Sequence, residues 1–219
     1  MNANLAALAL IASFACGQAC ADPALDAQIA FLAQSWDHAQ FEIVPNDAKL
    51  AALQRLEGEA SQLEAQYPQQ AEPLVWEAII VSSEAGAQGG LGALGKVGHA
   101  RELLERAERI NPNALGDGSI YTSLGSLYYQ VPGFPIGFGN RDRARQYLTR
   151  ALSVNPNGIE PNYFMADFLV HQSDYAQAIP YLHRAMGAPP RPGREVADRG
   201  RQRDVAALLH QVESHTGQH

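Results

Sequence analysis

The chain has 219 residues, with 16 Lys or Arg against 23 Asp or Glu, a net charge of −7 and 46% apolar side chains. It is long and apolar enough to bury a core, and too apolar for a disordered chain. The acidic balance argues against the basic face that nucleic-acid binding needs, and no apolar run of membrane-spanning length follows the N-terminus.

From the start, Leu5 to Ala15 (LAALALIASFA) has the length of a signal-peptide core and is short for a membrane span. Ala19-Cys20-Ala21 follows as an A-x-A cleavage site. Residues 1–21 therefore read as a signal peptide cut after Ala21, which predicts a periplasmic or secreted protein. Met1–Asn4 carries no Lys or Arg, a departure from the usual pattern, and an apolar helix kept in the fold is the competing reading. Both cysteines, Cys16 and Cys20, lie in this segment, so the mature chain would have no disulfide, thiol nucleophile or thiolate metal site. Neither Cys has a Leu three residues before it, which ranks a lipoprotein second.

Residues 22–72 read as N-terminal helices. Asp22-Pro23 opens one, in which Leu25, Ile29, Leu32 and Trp36 share a face. Leu50, Leu53, Leu56, Ala60 and Leu63 do the same on the next, before Pro68.

Residues 73–190 contain a repeat. Ala100, Leu104, Ala107 and Pro112 stand at offsets 0, 4, 7 and 12. Ala144, Leu148, Ala151 and Pro156 repeat them, and so do Ala178, Leu182, Ala185 and Pro190. The separations are 44 and 34 residues, and Leu56, Ala60, Leu63 and Pro68 form a degenerate set. The first three offsets lie on one helical face. A small–large–small stripe there lets a neighbouring helix approach closely, and the proline ends the helix. Each set is thus the second helix of a hairpin. The first helices lie upstream, in Pro73–Glu84, Ser119–Gln130 and Asn162–Gln172. Val205, Leu208, Leu209 and Val212 form a last stripe after the linker APPRPG, so residues 191–219 read as linker and C-terminal cap.

The pattern resembles the tetratricopeptide repeat: Trp, Leu-Gly and Tyr on helix A, then Ala, a large residue, Ala and Pro on helix B. Residues 162–190 fit it without insertion, with Ala166 at the Gly position. The second repeat has Leu124-Gly125 and Tyr128, then an insertion before Ala144. The first has Trp76 at the leading position and an insertion before Ala100. The resemblance implies an all-α, right-handed solenoid of helical hairpins with capping helices at both ends. More weakly, the inserted GGLGALGKV and YYQVPGFPIGFGN make the chain similar to secreted bacterial proteins such as the T-component of TRAP transporters.

For the tetratricopeptide register, the resemblance implies a concave face. It selects Glu77 and Glu84 in the first repeat, Thr122, Ser126, Tyr129 and Gln130 in the second, and Glu160, Tyr163, Asp167 and His171 in the third. Acids, hydroxyls and tyrosines on such a face suit an extended peptide or a polar ligand, against a merely solvated surface. Phe134 and Phe138 in the second insertion either contact a ligand or pack within their own loop.

Catalytic signals are weak. Gly90–Gly95 with Lys96 spells most of a phosphate-binding loop, but Val97 replaces the hydroxyl residue and a helix precedes it, so it reads as a glycine-rich insertion. The seven His show no metal-ligand spacing, and no G-x-S-x-G occurs. No metal, cofactor or enzyme activity is expected. Residues 22–90 hold eleven acids against Lys49 and Arg55, a net −9, whereas residues 191–219 hold five Arg against four acids. The expected role is a binding scaffold for a protein or peptide. The T-component resemblance implies the alternative, a partner of a solute-binding protein that handles a small ligand. An enzyme on a helical scaffold is the third class.

Overall fold

The computed structural model describes residues 22–217, so the signal-peptide reading of residues 1–21 lies outside the described residues. The fold is built from helical hairpins. The helices are α1 (Pro23–Phe41), α2 (Asn46–Gln66), α3 (Ala71–Gln88), α4 (Leu94–Ile110), α5 (Ser119–Gln130), α6 (Arg141–Val154), α7 (Ile159–His171), α8 (Tyr175–Met186) and α9 (Glu195–Thr216). A 3₁₀ turn, Leu91–Ala93, precedes α4. No strand occurs among the described residues.

The repeated stripe explains the stacking. Ala100, Leu104, Ala107, Ala144, Leu148, Ala151, Ala178, Leu182 and Ala185 are all fully buried, at 0% exposure. They place α4, α6 and α8 against α3, α5 and α7 in three hairpins. The α5–α6 hairpin closes tightly at Gly125 of α5, where an added Cβ would stand 2.6 Å from Leu148 Cγ. A methyl group there would push α5 off α6. The Asn-Pro stops work as expected at Asn111 and Asn155, the C-caps of α4 and α6. The helix before Pro190 stops earlier, at Met186, with Gly187 as its C-cap.

Two local expectations are revised. The glycine-rich insertion is shorter than its composition suggests, because α4 already begins at Leu94 and takes in Gly95 and Gly98. No added Cβ would meet a neighbour at either glycine, and both are helical positions rather than a loop, Gly95 exposed and Gly98 half-buried. The helix at Pro73 begins at Ala71 instead, which leaves Pro73 within its first turn, where no backbone donor is required.

The C-terminal helix does more than cover the end of the stack. Val205, Leu208 and Val212 pack into the main core beside α8. The opposite end of α9 reaches α1, the first helix. Arg194, just before α9, holds Asp37 of α1 with two hydrogen bonds, of 2.8 and 2.7 Å, across 157 residues of sequence. Arg203 donates to the Phe41 carbonyl at 3.2 Å. Gly200 makes the crossing possible, since a Cβ there would lie 2.2 Å from Phe41 Cδ1 and 2.8 Å from its Cβ.

Gly200→Ala tests this crossing. Helix propensity alone would favour Ala by about 1 kcal/mol. The clash reverses the sign, with an expected loss of about 1–3 kcal/mol in urea unfolding.

Candidate binding chamber

The contact between α9 and α1 bounds a cavity of about 710 Å³ on the inner face of the helix stack. Three helices supply its floor at one spacing. Trp76, Ile79 and Ser83 of α3, Ser119, Thr122 and Ser126 of α5, and Glu160, Tyr163 and Asp167 of α7 each step by three and then four residues, and all line it. The wall facing them is Trp36 of α1 together with Arg191, Arg194 and Arg201 of the linker and α9. Gly90, Ala93 and Leu94 from the first insertion and Val131 and Pro132 from the second line it as well.

Of the residues selected by the resemblance, Thr122, Ser126, Gln130, Glu160, Tyr163 and Asp167 line the chamber. Tyr129 stands behind Asp167 and donates to its Oδ2 at 2.5 Å, while Gln130 Nε2 donates to the Tyr129 oxygen at 3.1 Å. His171 sits beside them, its ring 5.1 Å from that of Tyr129 and its Nε2 4.0 Å from Asp167 Oδ2. Burial, reinforced by the Asp167 carboxylate, pushes the Tyr129 phenol well above its ordinary range. Burial likewise raises the Tyr163 phenol to about 12. Both therefore stay protonated at neutral pH.

Glu77 and Glu84 are not chamber residues, which corrects the register of the first repeat. Both are buried on the other side of α3. Glu84 pairs with Lys96 of α4 at 2.9 Å, and Glu77 lies 3.7 Å from His99. The cause is Trp76. Its ring packs at 6.1 Å against that of Trp36 on α1 and lies under Arg194 at 5.1 Å, so it belongs to the inner face rather than to the leading core position. Shifting the register by two residues brings Trp76, Ile79 and Ser83 into line with the other repeats. That shared spacing was the signal for them. Trp36 and the three arginines had no comparable signal.

The second insertion divides its aromatics. Phe138 packs against Tyr128 at 5.5 Å and lies under Arg101 at 4.4 Å, whereas Phe134 is 93% exposed. Neither lines the chamber. Among the described residues, no group of three or more His, Cys, Asp or Glu is arranged to hold a metal ion, and no helix is long and apolar enough to cross a membrane.

Burial lifts the Asp37 carboxyl above its ordinary value, even against the opposing pull of Arg194. Glu77 is also raised, first by burial, with His99 pulling the other way. Burial and a hydrogen bond shared with Glu84 raise Glu57. At Glu84, burial acts upward but is outweighed by the hydrogen bonds with Glu57 and Lys96, so its carboxyl is lowered.

No family model and no curated protein significantly matches the chain. A solved structure does: the crystal structure of a thermophilic tetratricopeptide-repeat protein from Thermus thermophilus superposes with a TM-score of 0.53. It covers 84% of this chain and 99% of that one, at 16% identity. The fold is of the tetratricopeptide type. Its hairpins α3–α4, α5–α6 and α7–α8 carry the recurring Ala–Leu–Ala stripe, with α1, α2 and α9 around them.

Two outcomes are expected. Arg194→Met leaves Asp37 buried without its partner and should cost about 3 kcal/mol, most of it recovered by adding Asp37→Leu. Urea unfolding of the single and double variants measures both. A carboxyl raised by folding binds its proton more tightly in the folded state. The stability Glu77 lends is therefore complete below its ordinary value of 4.5 and is lost as pH rises through the raised value. Glu77→Gln should remove that slope, leaving the variant at least as stable as the parent at pH 7 in thermal melts across pH 4–8.

Proposed function

We propose that this chain is an exported binding module that seats a short segment of a protein partner in the chamber between α1, α3, α5, α7 and α9. A tetratricopeptide-type fold suggests an interaction scaffold. The observation that carries the reading is the floor: three repeats present polar and aromatic side chains at one spacing, free of the stripe that builds the core. The closure by α9 shortens the ligand. A chamber of about 710 Å³ has the size of a site for a few residues, not for a long extended peptide. Because its walls are already held by ion pairs, little ordering cost falls on binding.

Export rests on the apolar stretch and cleavage pattern of residues 1–21. The start of α1 supports it, because Asp22 caps the helix by accepting from Ala24 N at 2.9 Å. Cleavage after Ala21 would leave that cap, and every residue of α1, in the mature protein.

The second reading is a partner of a solute-binding protein that handles a small ligand, similar to the T-component. The lining contributed by both insertions favours it, since those are the segments that carry that resemblance.

Photo-crosslinking separates these readings. A photoreactive residue at Ser123, inside the chamber, should give adducts with a protein partner in the native envelope. The same residue at Glu59, on the exposed side of α2, should not. Loss of the Ser123 adducts in Tyr163→Ala would tie them to the chamber. Equal adducts from both positions would contradict the chamber as the partner site. A melting shift with a small-solute pool and no adduct would favour the second reading. The N-terminal residue of the exported protein is expected to be Asp22.

A further inference from the structure

The charges of the chamber specify the ligand chemistry, given the binding role proposed above. Three arginines on one wall suggest an anionic ligand, and their ion pairs remove that expectation. Arg194 is taken up by Asp37. Arg201 is held by Glu160 at 2.8 Å and Asp204 at 2.9 Å, with its guanidinium 4.5 Å from the Tyr163 ring. Arg191 is held by Asp198 at 2.7 Å, with Glu160 at 3.5 Å. An anion would have to displace a carboxylate from each of them, and that exchange gains little.

Lys49 of α2 also lines the chamber and gives its ammonium to the Gln40 carbonyl at 2.9 Å, and the groups left over around Asp167 are acceptors. Asp167 Oδ2 receives the Tyr129 hydroxyl, and Oδ1 has no hydrogen-bond partner among the described residues. No Lys or Arg pairs with this carboxylate among the described residues, and its one basic neighbour is His171 at 4.0 Å. Because Tyr129 donates and stays protonated, it fixes the carboxylate without cancelling its charge. Ser126, at the position on α5 equivalent to Asp167 on α7, has an unpartnered hydroxyl among the described residues. Gln130 gives its amide nitrogen to Tyr129, which leaves its carbonyl oxygen free.

We propose that the chamber reads a primary ammonium group on a short peptide segment, a lysine side chain, with Asp167 as its counter-ion and Ser126 and Gln130 as further acceptors. Three diverging N–H donors suit a carboxylate, a hydroxyl and an amide oxygen. The planar fork of an arginine matches a bidentate carboxylate instead, and here one carboxylate oxygen is already taken by Tyr129.

Titration calorimetry on the mature protein tests this. The probes are mixed tetrapeptide pools, acetylated and amidated, with one position fixed as Lys, Arg, norleucine or Glu, together with 1,5-diaminopentane and pentan-1-ol. The Lys pool should bind about tenfold tighter than the norleucine and Glu pools. Asp167→Asn should abolish that preference with an unchanged melting temperature, and Ser126→Ala should reduce it by about threefold. Should Asp167→Asn lower the melting temperature, Ser126→Ala carries the test alone. Equal binding of the Lys and norleucine pools, or preference for Glu, overturns the ammonium assignment while leaving the peptide-binding role in place. Binding of diaminopentane but of no peptide pool keeps the ammonium and overturns the peptide role. Binding of no probe overturns both.

Discussion

The ion pair between Asp37 and Arg194 is the constraint on which the chamber depends. Stacked hairpins by themselves give an open groove, because each repeat touches only its neighbours. Here a guanidinium from the linker before α9 reaches back to the first helix and is held there by two short hydrogen bonds. The pair is nearly dry, with 3% of the Asp37 side chain and 18% of the Arg194 side chain exposed. A buried pair contributes little net stability, yet breaking it is costly. Its effect is geometric: it fixes where α9 lies, and α9 then supplies the wall that turns a groove into a chamber.

The same segment joins the two regions of opposite charge along the sequence. The N-terminal third is strongly acidic and the C-terminal segment is rich in arginine. In the fold these regions meet. Arg194 answers Asp37, and Arg203 answers the free carbonyl at the end of α1. Asp37 is the one acid of residues 22–90 that pairs with this segment among the described residues, and Asp26, Asp47 and Glu59 stay exposed. Aromatic rings reinforce the junction, since Arg194 lies over Trp76 and Arg201 over Tyr163 and Phe164.

Much of the fold was legible from local spacing. Ala, Leu and Ala at fixed offsets specify a helix face that must be buried, and each of those nine residues is fully buried. The floor of the chamber was legible in the second and third repeats, where Leu124-Gly125 and Met165-Ala166 fix the register. In the first repeat Trp76 was an unsafe anchor. A large aromatic satisfies either the core between hairpins or the inner face, and only the neighbouring Trp36 decides between them. Glu77 and Glu84 were displaced as a consequence. The closure itself left no local signature: a contact across 157 residues has no period, and Gly200 stands in α9 as an unremarked helix glycine. The inserted segments were ambiguous because aromatics in a glycine-rich loop suit both outward display to a ligand and packing within the loop. Phe138 is packed and Phe134 is exposed.

The most direct test is the separation of α1 and α9 in solution. Residues 22–219 contain no cysteine, so spin labels can be placed on cysteines introduced at the exposed positions Ala30 and Ala206. Double electron–electron resonance should give a single narrow distance distribution, which broadens when Arg194 is replaced by Met. A broad or two-peaked distribution in the parent chain, extending to longer distances and unchanged by that replacement, would show that α9 does not close on α1, and the chamber would not exist as described.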